Sequence, residues 1–282
     1  MKRWFSGFLG GVIFLVPMVC AQAAPSIQVA GMEGRIQSHT TVLPAVFGNR
    51  EQGIDLEIAG AAALSGSLRA DMFQVSGTLA MPLIKDGLLL ETLALTGATS
   101  QQVRVMIKFP DVKKQAEILV RFSLFSNAPG AKAAPLGELR FAVFPASVTK
   151  ELTDLLQPKP DARMIVFGPG QPLRHFLSGL KIAFEDGGTD TPDRFDSNRL
   201  YFGDLATHEQ YQQAEDRSAG ARIVLFAPDE SLPPGVYSER SNVGVHVQVT
   251  SPLLDNIAVD PRAQLALIKI THFLSALPSS AN

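Results

Sequence analysis

The sequence is poor in cysteine, and its only cysteine lies in a segment that has the features of an export signal. Cys20 is the single cysteine among 282 residues. The segment begins with two basic residues at positions 2 and 3, continues with an apolar run over residues 8–18, and ends in Ala21-Gln22-Ala23. Signal peptidases cut after such a small-x-small pattern. Cleavage after Ala23 would leave a chain without thiols, which excludes disulfides and cysteine nucleophiles.

Long apolar runs are also missing. Beyond residues 1–23, which we predict to be a signal peptide, no apolar stretch reaches the roughly 18–20 residues needed to cross a bilayer. The protein would therefore be attached to a membrane only if the signal were not cleaved. The exported chain would carry about 23 basic residues against 27 acidic ones, a mildly negative balance that argues against nucleic acid as a partner. We predict a secreted, periplasmic protein.

Signatures of catalysis are equally scarce. The five histidines, at positions 39, 175, 208, 246 and 272, have no metal-binding spacing, and no G-x-S-x-G motif exposes a serine at a strand–helix turn. His175 is the one candidate among them, because it follows a glycine turn and stands beside Arg174. His272 lies in an apolar segment and is expected to be buried in a core. No cofactor is predicted.

Residues 24–146 alternate between apolar and polar positions. The segments 54–58 and 103–107 are examples in which one face of a strand would be buried and the other hydrated. Glycine, proline, asparagine and aspartate interrupt these runs, and no stretch has a helical period. Seven or eight short strands at this spacing predict an antiparallel β-sandwich that is Ig-like in architecture.

The period becomes helical at Ser147, which predicts a helix and linker over residues 147–161. From residue 162 to residue 282, short apolar strands alternate with helices. This order is typical of a parallel sheet covered on both faces. The fold class predicted for the whole chain is therefore β plus α/β, an N-terminal β-sandwich followed by a small doubly wound α/β domain.

Helix boundaries in the second half can be located from their capping signals. A helix is predicted to begin at Pro172 and to run past Phe184 until two glycines stop it at 187–188. Thr207 and Gln210 have the spacing of a capping box, and Asp260-Pro261 predicts the start of the last helix.

Candidate ligand-binding residues follow the predicted parallel strands, because ligands of open α/β sheets bind beyond the carboxyl ends of the strands. They comprise a glycine turn, two residues after it and three carboxylates: Gly168, Gly170, Arg174, His175, Asp204, Asp229 and Glu230. A glycine turn before a helix can present backbone N–H groups to an anion. This turn lacks the G-x-G-x-x-G pattern and contains Pro169, so a plain tight turn is the alternative.

Four aspartates crowd one loop of the second half: Asp186, Asp190, Asp193 and Asp196. Calcium takes carboxylate and carbonyl oxygens, so this loop is a candidate metal site. Its spacing does not match an EF-hand, and a solvated acidic loop is the alternative.

The end of the sequence resembles a known family. Residues 244–249, the run Ser251-Pro252-Leu253-Leu254-Asp255 and the helix that begins at Asp260-Pro261 are similar to the end of class I glutamine amidotransferase-like domains. The resemblance implies a flavodoxin-like domain over about the last hundred residues. Enzymatic members use a cysteine nucleophile, which cleavage of the signal would remove. The resemblance therefore implies a scaffold or binding domain rather than an amidotransferase.

Three functions remain open at this point. The sequence favours a non-catalytic exported binding or accessory protein of the cell envelope that engages a partner protein or a glycan. An envelope hydrolase that uses Asp204, Asp229 or Glu230 as acid or base is the alternative, and it requires two such carboxylates in one pocket. A purely structural subunit would have a large exposed apolar patch and no pocket.

Overall fold

The chain combines β-sheets in its first half with an α/β arrangement in its second. A computed structural model describes residues 26–32, 43–59, 64–83, 87–95, 100–126, 133–157, 163–218, 220–227, 235–240, 244–250 and 253–275. The predicted signal with Cys20, as well as His39, Asp229 and Glu230, lies outside these residues. None of the described helices is both long and apolar enough to cross a membrane.

Nine strands form two sheets in the described part of the first half. They are β1 (Ser26–Met32), β2 (Ala45–Phe47), β3 (Glu51–Ala59), β4 (Leu64–Ser76), β5 (Leu79–Pro82), β6 (Leu88–Leu95), β7 (Gln101–Lys108), β8 (Ala116–Ser126) and β9 (Ala134–Phe144). One sheet has the order β1-β3-β7, and the other has the order β2-β9-β8-β4-β5, with β6 also paired to β4. Neighbouring strands are antiparallel except for β2 and β9, which are parallel.

The two sheets of the first half share one hydrophobic core. In β7, Val103, Val105 and Ile107 are buried while the residues between them face solvent, so the period-two pattern has its expected meaning. These side chains belong to the same buried cluster as Phe122 and Phe141 of the other sheet. Burial of apolar surface between the sheets therefore stabilises this half.

The described residues of the second half form one six-stranded sheet, four helices and a short 3₁₀ turn. The strands are β10 (Met164–Phe167), β11 (Glu185–Asp186), β12 (Leu200–Asp204), β13 (Arg222–Phe226), β14 (Val236–Arg240) and β15 (Val245–Val249). The helices are α1 (Ser147–Leu156), α2 (Pro172–Gly179), α3 (His208–Arg217) and α4 (Pro261–Ser275), and the 3₁₀ turn is Leu254–Asn256. The strand order is β11-β10-β12-β13-β15-β14, and only β14 is antiparallel to its neighbour.

Helices cover both faces of this sheet. On one face, alternate strand residues such as Val166 and Val224 form a core with Leu152 of α1, Leu177 of α2 and Leu267 of α4. On the other face, the strand residues between them form a separate core with Tyr211 and Ala214 of α3. The strands read as continuous apolar runs because both of their faces are buried.

The capping signals locate two helix starts. The Thr207 hydroxyl accepts a hydrogen bond from the Gln210 N–H at 3.2 Å, and the Gln210 side chain accepts one from the Ala206 N–H at 3.0 Å. At α4, the Asp260 carboxylate accepts a hydrogen bond from the Arg262 N–H at 2.8 Å. Both arrangements satisfy N–H groups that a helix start leaves without an intrahelical partner.

Helix α2 is shorter than the sequence predicts. It ends at Gly179 instead of running past Phe184, because Lys181 adopts a positive φ of 57°. The Ile182 N–H donates to the Leu177 carbonyl and the Lys181 N–H donates to the Ser178 carbonyl, which is the hydrogen-bond pattern of a Schellman motif. The chain after this motif is free to form the short strand β11.

The two halves contact each other through β2, α1 and α4. Phe47 of β2 is 4% exposed and belongs to the core of the second half. Leu265 of α4 packs against a small cluster of buried residues from β2 and β9. The Arg262 guanidinium donates to the Leu43 carbonyl at 3.2 Å, and the Thr149 hydroxyl of α1 donates to the Gln264 side chain of α4 at 2.8 Å.

Candidate functional site

The carboxyl ends of β10 and β12 bring four of the predicted ligand-binding residues together. The chain leaves β10 through α2 towards β11 on one side, and it leaves β12 through α3 towards β13 on the other. Where the connections from two neighbouring parallel strands run in opposite directions, a crevice opens at the carboxyl ends of those strands. The four residues at this position are Gly168, Gly170, Arg174 and Asp204.

Arg174 fills the crevice with its guanidinium. The side chain is 8% exposed and donates five hydrogen bonds of 2.6 to 3.3 Å. The acceptors are four backbone carbonyls and one carboxylate, those of Val166, Gly168, Gly170, Gly188 and Asp186. A buried cation needs this degree of compensation for its lost hydration. Arg174 thus ties α2 to the turns that follow β10 and β11.

The glycine turn does not offer its N–H groups to a ligand. The Gly168 N–H donates to the Gly188 carbonyl at 2.9 Å, and the Gly170 N–H donates to the Asp204 carbonyl at 3.0 Å. Pro169 has no N–H to donate. These two N–H groups, on which an anion cradle at this turn would depend, are thus already used within the protein.

Glycine is required at both positions of the turn. Gly168 has a φ of 96°, and a Cβ atom there would overlap with the Asp204 backbone. A Cβ atom on Gly170 would overlap with the Asp204 carboxyl group. The two glycines therefore allow β12 and the turn to approach each other closely, which is a structural role.

Asp204 is a buried carboxylate at the end of β12. Burial raises its pKa above the ordinary value, while a hydrogen bond from the Leu173 N–H and the charge of Arg174 lower it. Its Oδ2 atom is buried and has no hydrogen-bond partner. The negative charge of Asp255 raises the pKa further. Asp204 therefore caps the start of α2 by accepting the Leu173 N–H, while its Oδ2 atom stays buried without a hydrogen bond.

The four aspartates of the acidic loop are not brought together. The Asp186 carboxylate accepts hydrogen bonds from the Gly188 N–H and from Arg174, which lower its pKa. Asp193 pairs with Arg217 at 3.5 Å, and Asp196 pairs with Arg199 at the same distance. No group of three or more histidine, cysteine, aspartate or glutamate side chains within the described ranges could hold a metal ion, Asp190 included.

A cleft of about 410 Å³ lies at the contact between the two halves of the chain. It is lined by the face of α2 opposite the one from which Arg174 enters the crevice. Its walls come from the β2–β3 turn, α1, α2, the 3₁₀ segment and α4. The lining residues that carry polar side chains are Arg50, Thr149, His175, Asp255 and Gln264. The apolar lining includes Phe176, Leu180, Leu254 and Ile257. The volume lies in the range of about 300–1,000 Å³ that is usual for small-molecule sites.

A hydrogen-bonded chain fixes one wall of the cleft. The Arg50 guanidinium lies over the Phe47 ring, 4.3 Å from its centroid, and donates to the Thr149 hydroxyl at 3.2 Å. Thr149 donates in turn to the Gln264 side chain, which is 1% exposed and donates to the Ile257 carbonyl at 2.9 Å. The Arg50 guanidinium is therefore held in place before any ligand arrives.

His175 is the predicted candidate that lines this cleft, on the exposed side of α2. Sequence reasoning missed Arg50, which comes from the first half, and Asp255, which lies six residues beyond the end of the parallel strand β15. The expectation of a core position for His272 was wrong: this residue is exposed, and the buried residues of α4 lie on its other faces.

Comparisons with known proteins show no close relative. No family model matches the chain, and no curated protein matches it. Among solved structures, a Niemann-Pick type C2 protein from the Japanese carpenter ant has a TM-score of 0.30 and 10% identity, over 44% of this chain and 96% of its own. A β-glucosidase from Listeria innocua in complex with glucose has a TM-score of 0.26 and 10% identity, over 43% of this chain and 16% of its own. The C-terminal domain of wzt has a TM-score of 0.27 and 12% identity, over 43% of this chain and 71% of its own.

Proposed function

We propose that this protein is a non-catalytic, exported binding or accessory protein of the cell envelope that engages a partner protein or a glycan through the cleft at the junction of its two halves. One observation carries the proposal. Arg174 fills the crevice at the strand ends, whereas the cleft beside α2 stays open and contains a fixed guanidinium. Binding is therefore assigned to the cleft, with the crevice as its structural support.

The finer description of the fold belongs to the same proposal. The five parallel strands have the spatial order second, first, third, fourth, fifth along the chain, which supports a doubly wound, flavodoxin-like domain. Two facing sheets around one core support an Ig-like β-sandwich in the first half. The strand order also supports kinship with class I glutamine amidotransferase-like domains, in a form without the catalytic cysteine.

Export is tested by sequencing the amino terminus of the protein recovered from its host. The proposal expects a chain that begins at Ala24 and is released from the periplasm. A chain that begins at Met1 or Lys2 would contradict cleavage and would restore Cys20 to the mature protein.

Partner capture tests the binding role directly. The full chain, exported with a carboxy-terminal tag, is immobilised and exposed to an envelope extract, and the retained material is identified by mass spectrometry. The cleft-filling variant Ala258→Trp is run in parallel, because Ala258 lines the cleft and is exposed. The proposal expects at least one partner that the wild type retains and this variant loses.

Ala206→Trp is the matched control, because Ala206 is also exposed and lies outside the residues that line the cleft. The control should retain the partner. If all three proteins retain the same material, or if none retains any, binding through the cleft is refuted.

A hydrolase remains the second candidate, and the observation that favours it is Asp204. A carboxyl group whose pKa is raised is a better proton donor than an ordinary aspartate in the same pH range, as a general acid must be. Asp255 supplies a second carboxylate in the neighbourhood, although only Asp255 lines the cleft. Turnover of an envelope glycan or peptide that Asp204→Asn abolishes, in a variant that remains folded, would replace the binding proposal by this one.

A structural subunit has a weaker claim. All four residues of the edge strand β5 are exposed, and Leu79, Met81 and the following Leu83 are 69%, 54% and 39% exposed. These exposed apolar side chains agree with a structural subunit. The cleft does not, because a structural subunit was expected to have no pocket.

A further inference from the structure

We infer that the cleft binds a zwitterionic ligand of the amino-acid or short-peptide class, with its carboxylate on Arg50, its ammonium on Asp255 and an aliphatic side chain on the apolar wall. The inference deepens the proposed function and rests on the cleft being the binding site. It selects a peptide-like group over a glycan as the group that is recognised.

Arg50 is the anchor for the carboxylate. A guanidinium has five N–H donors, and Thr149 takes one of those on Arg50. The guanidinium also lies over the Phe47 ring, which restricts its motion and leaves its remaining donors available to a ligand. A preorganised guanidinium can bind a carboxylate with two parallel hydrogen bonds, which adds geometric selectivity to the charge.

Asp255 is the anchor for the ammonium. It lies in the 3₁₀ turn, is exposed, and lines the same cleft as Arg50. Its carboxylate forms no ion pair within the described part of the chain. A ligand that carried only negative charge would be repelled by Asp255, and one that carried only positive charge would be repelled by Arg50. Opposite charges in one small cleft therefore select a ligand that has both.

The rest of the lining fits the same class of ligand. Phe176 and Leu180 of α2 face the cleft together with Leu254 and Ile257, which offers an apolar surface for an aliphatic side chain. His175 adds ring nitrogens that can donate to or accept from a peptide group. A few polar anchors around an apolar wall are the usual composition of a selective small-ligand site.

Calorimetric titration of the full chain with L-leucyl-L-leucine tests the inference. Two further probes each remove one charge: the amino-acetylated dipeptide lacks the ammonium, and the carboxy-amide lacks the carboxylate. The wild type is expected to bind the free dipeptide at least about tenfold more tightly than either blocked form. No binding of the free dipeptide at up to about 10 mM, or equal binding of all three probes, would overturn the inference.

Two charge-removing variants assign each end of the ligand. Arg50→Gln should bind the dipeptide and its amide equally, and Asp255→Asn should bind the dipeptide and its acetylated form equally. Each comparison is the ratio of two dissociation constants measured on the same variant, so a general loss of stability would lower both affinities and leave the ratio unchanged. Arg194→Gln is the control, because Arg194 is exposed outside the cleft lining, and it should keep both preferences. Preferences that persist unchanged in Arg50→Gln and Asp255→Asn would refute the assignment.

The outcome separates the two proposals. If Ala258→Trp loses the captured envelope partner but the wild type ignores the dipeptide, the ligand class is wrong and the binding role stands. If partner capture does not depend on the cleft, the binding role fails. Dipeptide binding that keeps both charge preferences would still support the ligand class.

Discussion

At the scale of single residues, the candidate site depends on two neighbours that have opposite roles. Arg174 and His175 are adjacent in the sequence, but the helix places the first in the buried crevice and the second at the open cleft. Their residue types and positions predicted that both would bind a ligand. The sequence could not distinguish them, because burial of an arginine depends on carbonyl groups that strand β10 and the turns after β10 and β11 supply.

Replacement of Arg174 is expected to destabilise the protein strongly. Arg174→Met removes five donated hydrogen bonds, and the buried Gly168 carbonyl loses the donor that Arg174 gives it, which should lower the free energy of unfolding by about 3 kcal/mol or more. Urea denaturation measures the change, and the exposed Arg194→Met serves as control with an expected change below about 0.5 kcal/mol. Equal stability of the two variants would show that Arg174 is not the structural centre of the crevice.

Asp204 gives the stability of the protein a specific dependence on pH. Its folded-state pKa is raised, so the native state binds this proton more tightly than the unfolded state does. Its contribution to stability therefore falls as the pH rises from the ordinary value of 3.8 through the raised pKa. Asp204→Asn keeps an oxygen that can accept from Leu173 and removes this titration.

The variant should accordingly gain stability relative to the wild type as the pH increases across that window, and the difference should be constant above it. Urea denaturation of both proteins at a series of pH values measures this difference. A difference that does not vary with pH, or that shrinks as the pH rises, would contradict a raised pKa for Asp204.

At the scale of elements, the sequence predicted helix starts better than helix ends. Thr207 and Asp260 cap helices through their own side chains, so a local pattern was enough to find them. The end of α2 depends on Lys181 in a left-handed conformation, which is a position where glycine is the usual signal. The two-residue strand β11 was equally invisible, because it exists only by pairing with β10.

The cap of α3 provides a test at this scale. Thr207→Ala should lower the free energy of unfolding by about 1 kcal/mol, because the N–H of Gln210 loses its acceptor. Thr207→Ser keeps the hydroxyl and should restore most of the stability. Chemical denaturation of the three proteins gives the comparison, and an alanine variant as stable as the serine variant would contradict the role of the cap.

The two ends of α2 differ in the space they leave for a side chain. Gly170→Ala, just before the helix, would force a Cβ atom into the Asp204 carboxyl group and should cost about 1–3 kcal/mol. Gly179→Ala, in the last turn, meets nothing within 4 Å and should stabilise the helix by up to about 1 kcal/mol. Thermal denaturation that moved both variants in the same direction would contradict the close approach of the turn and β12.

At the scale of the whole molecule, the sequence predicted the change from β to α/β structure but not the contact between the halves. Periodicity reports which face of an element is buried, and it does not report what covers that face. Phe47, which belongs to β2, contributes to the core of the α/β half and also supports Arg50 of the cleft. Arg50 and Asp255 are about two hundred residues apart in sequence, so only the tertiary fold brings them together.

This contact predicts that the two halves unfold together. The wild type should show a single calorimetric transition, and Phe47→Ala should separate it into two while costing about 3–5 kcal/mol. Leu79→Ala truncates an apolar side chain that is 69% exposed on β5, and it should leave the single transition intact. Two transitions in the wild type would mean that the halves are not coupled.

Hydrogen exchange of the full chain, with and without the partner captured from the envelope, shows whether the partner binds in the cleft. Binding there should slow exchange in α2 and in the segment from the 3₁₀ turn to the start of α4, which together form most of the cleft wall. The N–H groups of Gly168 and Gly170 should be equally protected with and without the partner, because they already donate within the protein. New protection at that glycine turn, with no change around the cleft, would show that the partner binds in the crevice and would refute binding in the cleft.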